Sequence, residues 1–305
     1  MYKYYHKRYK QRITRDTVIA LFVAIFFIFI ALVTIQTQKA QITVLALIIL
    51  IFAIVYYYLV YEPLSIWKKV LNTPFPDSWR KILNENVKFY TTRSEDEKDY
   101  FEKRIQYFLE TKKITGVDTE IDDKIKIFIA VSAILPVFAF PDFEYDNINE
   151  ILVYPNSFDE EYNTGDREKI LGMVGNGAMN RMMILSKPDI LNAFSGKRTV
   201  HNVALHEFVH LIDKEDGAID GIPEILIDKA FVLPWMRELK IAESKIKRHK
   251  SDIDPYALTN NSEFLAVASE YFFMSPVKFK KKHPELYKYF SKIYRRKLKS
   301  DKSNY

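Results

Sequence analysis

The stretch VALHEFVHLID, residues 203–213, places two histidines four positions apart in an apolar run with the period of a buried helix. Residues four apart lie on the same side of an α-helix, so the imidazoles of His206 and His210 can bind one metal ion. Glu207 lies about 100° around the helix axis from His206, where it can reach a metal-bound water but is poorly placed as a ligand. The pattern predicts a metal site with Glu207 as general base. The alternative is a chance pattern, which the apolar neighbours disfavour because buried histidines need partners.

The composition limits the sites that this chain can build. It has 305 residues, 48% of them hydrophobic, and no cysteine. Disulfides, thiolate metal sites and cysteine nucleophiles are therefore excluded, and a metal must be bound by histidines and carboxylates. The formal net charge is +6, of which residues 1–16 contribute +5, six Lys or Arg less one Asp. The rest of the chain is nearly neutral, so we expect no nucleic-acid partner.

Two apolar stretches near the N-terminus predict a transmembrane helical hairpin. Residues 18–35 contain no charge, glycine or proline, and about 18 such residues span a hydrocarbon core. A similar stretch follows at 42–61 after a short linker. A cleaved signal peptide is the alternative for the first stretch, but that stretch is long for a signal sequence and a second one follows at once.

The distribution of positive charge predicts the orientation of this hairpin. Residues 1–16 are a basic tail, whereas the linker between the two stretches carries only Lys39. Basic segments stay on the cytoplasmic side, so both termini are expected there. We therefore expect residues 17–61 to lie in the inner membrane as a multi-pass anchor, with the domain of residues 62–305 facing the cytoplasm.

The periodicity of the rest of the chain predicts an α+β domain with mostly helices. The run at 181–186 is a strand either at the edge of a sheet, where it can hold an extended peptide, or in the core. Thr199 is a candidate cap for the helix at 203–213, and Pro223 suits the first turn of another helix. The remaining predictions are a capping box at Ser94–Glu97, helices at 122–135, 223–247 and 262–273, a helix after Pro284, and a strand at 151–155.

Several separate motifs occur together in one order along the chain. They are PFP at 74–76, Trp79, ILVYP at 151–155, HNV at 201–203, HEFVHLID at 206–213, DG at 216–217, GIP at 221–223, IDPYA at 253–257, SEFLAV at 262–267 and SEYFF at 269–273. Together they resemble the Mlc titration factor A family of zinc peptidases, over roughly residues 70–296. Residues 171–180 lack the Trp-containing segment expected there, and the hairpin is not a feature of the family's soluble members.

The resemblance implies a gluzincin with a mainly helical, zincin-like fold and a small sheet. By motif match, His206, His210 and Glu263 would bind Zn²⁺, and Glu207 would activate the water in the fourth position. Tyr256 matches the family's tyrosine seven residues before the ligand glutamate. Its hydroxyl would donate a hydrogen bond to the developing oxyanion. A packed tyrosine in a loop is the alternative for Tyr256.

The residues themselves also favour Glu263 as third ligand. Glu215 and Asp216 follow His210 directly, but they lie at the end of the helix and would have to turn back. Glu263 begins an apolar helix, where an unpaired carboxylate is costly to bury and a metal ion is a fitting counter-charge.

Other titratable residues receive supporting roles or none. Asp213 and Glu270 are candidates to accept a hydrogen bond from the ligand histidines, since such imidazoles usually donate to a carboxylate or carbonyl. Helix caps or surface ion pairs are the alternatives for both. The histidines expected not to bind the metal are His6, His201, His249 and His283.

These inferences predict a membrane-anchored zinc peptidase that hydrolyses peptide bonds in a peptide or protein substrate. A second hypothesis is a zinc-stabilised binding module that sequesters a transcriptional regulator, which would then be a regulatory protein partner. The two differ in whether Glu207 has a chemical role.

Overall fold

The computed structural model describes residues 18–19, 21–30, 37–57, 61–156, 172–174, 181–196 and 200–295. The helices are α1 Leu21–Ile30, α2 Gln38–Tyr56, α3 Glu62–Asn72, α4 Asp77–Asn86, α5 Lys88–Thr91, α6 Glu95–Thr111, α7 Asp123–Val137, α8 Lys187–Ala193, α9 Val203–Asp213, α10 Lys229–Lys247, α11 Asn261–Met274, α12 Pro276–Lys282 and α13 Pro284–Ile293. The strands are β1 Lys113–Gly116, β2 Glu150–Tyr154, β3 Gly172–Val174 and β4 Met182–Ser186. Helices predominate beside one small sheet, so the predicted α+β class is confirmed.

The sheet has the order β1-β2-β4-β3. Strands β1, β2 and β4 are parallel, and β3 pairs antiparallel with β4. The strand predicted at 181–186 is therefore confirmed, but it lies between two other strands. Ile184 and Leu185 are buried accordingly. The predicted edge position is wrong, because β3 pairs with the outer side of β4. The alternative, a strand in the core, is correct.

Only α2, among the described residues, is long and apolar enough to cross a membrane. Its 19 residues rise about 28 Å, close to a hydrocarbon core, and its mean hydropathy is 2.3. Helix α1 lies within the predicted first span but is shorter, and residues 20 and 31–36 lie outside the described part. Among the described residues, one helix of spanning length is therefore present where the sequence predicted two. The basic tail at 1–16 also lies outside the described residues.

The described chain forms two compact units. The first holds α1–α3 and residues 94–107, most of α6. The rings of Trp67 and Tyr107 stack there with centroids 4.0 Å apart. The predicted capping box begins α6, since Glu97 accepts from the Ser94 backbone N–H at 3.1 Å and the Ser94 hydroxyl accepts from Glu97 N–H at 3.4 Å.

The second unit is built around α7, α9 and α11. Helix α7 is buried along almost its whole length, which explains its nearly continuous apolar sequence. Pro136 lies in the last turn of this helix, which ends two residues beyond the predicted 122–135. Helix α9 contacts α7 on one side and α11 on another, and it also contacts β3 and β4. This packing places the two histidines of α9 against α11.

The predicted cap of α9 and the predicted start of α10 are wrong. Helix α9 begins after Asn202, and Thr199 lies outside the described residues. Pro223 lies in a turn, where its carbonyl accepts from Leu226 N–H at 2.8 Å, and α10 begins only at Lys229. Proline fixes φ equally well in turns and in first helical turns, so its position alone did not separate the two.

Candidate metal centre

Asparagine caps fix the starts of both helices that supply the site. The Asn202 side chain accepts from Leu205 N–H at 3.0 Å at the start of α9. The Asn260 side chain accepts from Glu263 N–H at 2.9 Å at the start of α11. Each cap satisfies a backbone donor that has no partner within its helix. The second cap holds the first turn of α11, and therefore Glu263, in place.

The side chains of His206, His210 and Glu263 meet at one point. The two Nε2 atoms lie 3.1 Å apart, and Glu263 Oε2 lies 3.0 Å from Nε2 of His206. Glu263 Oε1 lies 3.4 Å from Nε2 of His210. Ligand atoms about 2.0–2.1 Å from a tetrahedral zinc ion would be about 3.3 Å from one another. The three side chains are therefore close enough together to hold one metal ion.

The hydrogen bonds of the opposite ring nitrogens support this reading. Nδ1 of His206 lies 2.8 Å from Glu270 Oε1, and Nδ1 of His210 lies 3.0 Å from the Ser262 hydroxyl. An ionised carboxylate only accepts, so the Glu270 contact places the proton of neutral His206 on Nδ1. Its Nε2 then presents a lone pair towards Glu263 and His210. Lone pairs and a carboxylate that converge in this way are stabilised by positive charge between them, either a proton or a metal ion.

The local field is strongly negative. Burial opposes the protonated form of His206, but the hydrogen bonds to Glu263 and Glu270 outweigh it and raise the pKa of His206 to about 10. Burial likewise opposes the ionised form of Glu263, but the two histidines hold its pKa at about 2. A proton and a metal ion are alternative occupants of such a field. The carboxylates of the site therefore favour the binding of positive charge.

Glu207 is buried on α9 with 7% of its surface exposed. Burial is the main cause that raises the pKa of its carboxyl, and the nearby histidines oppose that rise. A carboxyl with a raised pKa holds a proton better than an exposed one does, which suits an acid-base role.

Tyr256 lies near His206, in a 3₁₀ turn at Pro255–Leu258. Its ring centroid is 6.3 Å from that of His206, and 56% of its surface is exposed. The Asp254 side chain accepts from the Tyr256 backbone N–H at 2.9 Å and fixes the turn. The structure thus brings Tyr256 to the site, and it is not a packed core tyrosine.

Of the two carboxylates expected beside the ligand histidines, Glu270 contacts a histidine and Asp213 does not. Glu270 contacts His206 directly and also accepts from Asn202 N–H at 2.5 Å. Asp213 instead accepts from Gly221 N–H at 3.0 Å, and the direct partner of His210 is Ser262. Sequence reasoning missed Ser262, although its place immediately before the ligand glutamate was a usable signal.

The residues expected not to bind the metal lie elsewhere. Glu215 accepts from the Asn147 side chain at 2.9 Å, and Asp216 accepts from Ala218 N–H at 3.0 Å. His283 pairs with Asp252 at 2.8 Å, and His249 is exposed. His201 is exposed with Nδ1 4.0 Å from Glu270, and His6 lies outside the described residues.

Sequence comparisons agree with this geometry. A model of the glucose-regulated metallopeptidases M90 matches residues 64–295. The chain is 28% identical over 241 residues to an uncharacterised protein of Synechocystis, covering 74% of this chain and 86% of that protein. It is 27% identical over 249 residues to Mlc titration factor A of Pectobacterium atrosepticum, covering 75% and 91%. To Mlc titration factor A of Escherichia fergusonii it is 31% identical over 206 residues, covering 61% and 74%.

The matched region includes α9 and α11 and with them every side chain of the metal centre. The histidines and the glutamate that the fold brings together thus lie within the segment that defines a metallopeptidase family. This chain belongs to the glucose-regulated metallopeptidase family M90.

Proposed function

We propose that this chain is a membrane-anchored, zinc-dependent peptidase that hydrolyses peptide bonds in peptide or protein substrates. The observation that carries the proposal is the convergence of His206, His210 and Glu263 next to a buried Glu207. Three protein ligands leave a fourth position for a water or a substrate carbonyl, which is the arrangement of catalytic and not structural zinc sites.

In this proposal the residues of the chain divide the work of hydrolysis. Zinc, when bound, acts as a Lewis acid that lowers the pKa of water towards 7 and polarises a carbonyl. Glu207 takes a proton from the attacking water and delivers it to the leaving amine. The Tyr256 hydroxyl donates a hydrogen bond to the carbonyl oxygen as negative charge develops there.

Strand β3 is the proposed holding place for an extended substrate. It is one of the two edge strands among the four described strands, and it contacts α9, the helix of the metal centre. A peptide aligned along a strand edge gains main-chain hydrogen bonds regardless of its sequence. The side chains of the substrate would then decide specificity.

The decisive variant is Glu207→Gln, which removes a base and keeps the shape and the metal ligands. We expect cleavage of a peptide library, followed by mass spectrometry, to fall by roughly 10²–10⁴-fold, with zinc content unchanged. Asp216→Asn, an exposed acid outside the cluster, is the matched control and should cleave normally. Equal cleavage by Glu207→Gln and wild type would show that Glu207 is not the general base and would contradict the proposed mechanism.

Tyr256→Phe tests the oxyanion role separately. Loss of one such donor lowers kcat by about 10²–10³-fold in enzymes that rely on it. We expect a loss of that order in kcat with little change in KM or zinc affinity, since the tyrosine is not a ligand. An unchanged kcat would restrict Tyr256 to substrate contact or to no role.

A second candidate function is a zinc-stabilised binding module that sequesters a transcriptional regulator. The names of the relatives, Mlc titration factor A, favour it for those proteins and motivate the same test here. In this case Glu207→Gln would retain regulator binding at wild-type affinity and lose no biological activity. A phenotype that tracks the loss of cleavage would instead support the peptidase.

The membrane anchor and its orientation are also part of the proposal. Helix α2 supports one apolar segment of spanning length, and the six basic residues before Val18 favour a cytoplasmic N-terminus. We propose a two-span anchor across residues 17–61 with the catalytic domain in the cytoplasm and no nucleic-acid partner. A C-terminal tag should then resist protease added to intact cells. Digestion of the tag would show that the domain faces the other side of the membrane.

A further inference from the structure

Ser262 occupies a position between a ligand histidine and a buried carboxylate. Its side chain is 3% exposed, and its hydroxyl oxygen lies 3.0 Å from Nδ1 of His210. It is the neighbour of Glu263, so the first turn of α11 supplies both a metal ligand and the hydrogen-bond partner of another ligand.

Asp213 lies behind Ser262 at the end of α9. It is completely buried, and its Oδ2 accepts from Gly221 N–H at 3.0 Å. Its Oδ1 is also buried and makes no hydrogen bond of normal geometry with any described residue. Burial raises the pKa of this carboxyl, and hydrogen bonds from the Ser262 hydroxyl and from Gly221 N–H offset only part of that rise. A buried acceptor in this situation calls for a donor.

Gly221 fixes this arrangement from the other side. Its backbone has φ of 76°, and a Cβ atom there would approach the Asn261 carbonyl oxygen to 2.4 Å. Its own carbonyl accepts from the Trp235 indole N–H at 2.7 Å. The turn at Gly221 is therefore held tightly against the residue that precedes Ser262, and Asp213 is held by the same turn.

The direction of the hydrogen bonds follows from these positions. Where Asp213 is ionised, its buried Oδ1 can only accept, and the Ser262 hydroxyl is the side-chain donor that acts on this carboxylate. Having donated, the Ser262 oxygen can only accept from His210, which places the imidazole proton on Nδ1. Nε2 of His210 is then left with its lone pair towards Glu263 and His206. The reverse direction would put the proton on Nε2 and block the metal position.

We propose that Ser262 is a positioning residue that fixes the metal-binding tautomer of His210, and that Asp213 sets the direction of this hydrogen bond. The two ligand histidines are thus oriented differently. His206 donates to the carboxylate of Glu270 directly, whereas His210 donates to a neutral hydroxyl backed by a carboxylate. The proposal rests on the metal site of the proposed function but not on catalysis.

Ser262→Thr and Ser262→Val provide a matched test, because the two side chains have nearly the same shape and only threonine keeps the hydroxyl. Zinc affinity is measured on the full-length chain in detergent by competition with a chromophoric chelator. Replacing hydrogen-bond partners of ligands typically weakens metal binding by 10–100-fold. We expect the valine variant to bind zinc about 10-fold or more weakly than the threonine variant, and Asp213→Asn to fall between wild type and Ser262→Val.

Each outcome of this test is decisive. Equal affinity of the threonine and valine variants would overturn the proposal, and so would wild-type affinity of Asp213→Asn. If the methyl group that both share disturbs folding, Ser262→Ala compared with the wild-type chain tests whether loss of the hydroxyl weakens zinc binding, and wild-type affinity of Ser262→Ala would overturn the proposal. A wild-type chain that binds no zinc would refute the proposed function itself, which is a distinct result.

Discussion

Two clusters of histidine and carboxylate involve neighbouring residues of α11, and they differ in the origin of their positive charge. The first contains Glu263 and Glu270 with the histidines of α9. The second joins Asp252 to Tyr271, Lys278 and His283 at 2.9, 3.2 and 2.8 Å. In the second, Lys278 supplies the cation. In the first, no lysine or arginine forms an ion pair with either glutamate within the described residues.

This difference separates a metal centre from a structural cluster of the same residue types. Asp252 accepts from three donors, one of them the cation Lys278, so most of its acceptor positions are used and its charge is balanced. The Nε2 atoms of the first cluster face each other and a carboxylate, which leaves acceptors without enough donors. Unbalanced acceptors in a buried site indicate an ion.

The largest expected effect comes from removing the carboxylate of the first cluster. Glu263→Ala should lower zinc affinity by more than the roughly 10- to 100-fold that is typical of changes around ligands. Glu215→Ala and Asp216→Ala are the controls, since both acids are engaged elsewhere, and they should retain zinc. Elemental analysis after dialysis against a weak chelator measures this, and full occupancy in Glu263→Ala would contradict the assignment.

A smaller effect is expected at Glu270, which touches a ligand but not the metal position. Glu270→Gln removes the charge behind His206 and should weaken zinc binding by about 10–100-fold. The same measurement on Asp252→Asn sharpens the comparison, because the second cluster should leave zinc affinity unchanged. Equal losses in both variants would mean that general destabilisation, and not the partner of His206, accounts for the effect.

The smallest effect is on stability in the second cluster. Asp252→Asn removes charge-assisted hydrogen bonds at a partly exposed site, and we expect a cost of about 1–2 kcal/mol in the free energy of unfolding. Chemical denaturation of the full-length chain measures it. Lys278→Ala should cost less, since 55% of the lysine side chain is exposed and exposed ion pairs contribute little. A larger loss of stability in Lys278→Ala than in Asp252→Asn would contradict the view that Asp252 is the centre of this cluster.

The same carboxylate gives a prediction for pH. Burial opposes ionisation of Asp252, but its three donors outweigh burial and lower the pKa from the ordinary 3.8 to about 2. The contribution of Asp252 to stability is therefore present above about pH 4 and is lost as the pH falls from 3.8 to about 2. The stability difference between wild type and Asp252→Asn should shrink over that interval. A difference that stayed constant down to pH 2 would show that it arises from packing.

The sequence was most informative where the geometry is local. The convergence of His206 and His210 follows from their spacing on one helix, and the capping box at Ser94 and Glu97 follows from a pattern of four residues. The predicted hairpin depended on apolar composition alone, which does not fix the length of a helix. Among the described residues, only α2 is both long enough and apolar enough to cross a membrane. The start of α10 was missed because a proline fits a turn as well as a helix.

By itself, the sequence determined that a helix at 203–213 would present two imidazoles to one ion, because the rise and rotation of a helix fix the relation of residues four apart. It also identified Glu263 and Glu270 as acids on one later helix. The tertiary structure decided that Glu270 rather than Asp213 touches a histidine and that Ser262 intervenes at His210. These contacts join residues 52 and 64 positions apart, and only the packing of α9 against α11 sets such distances.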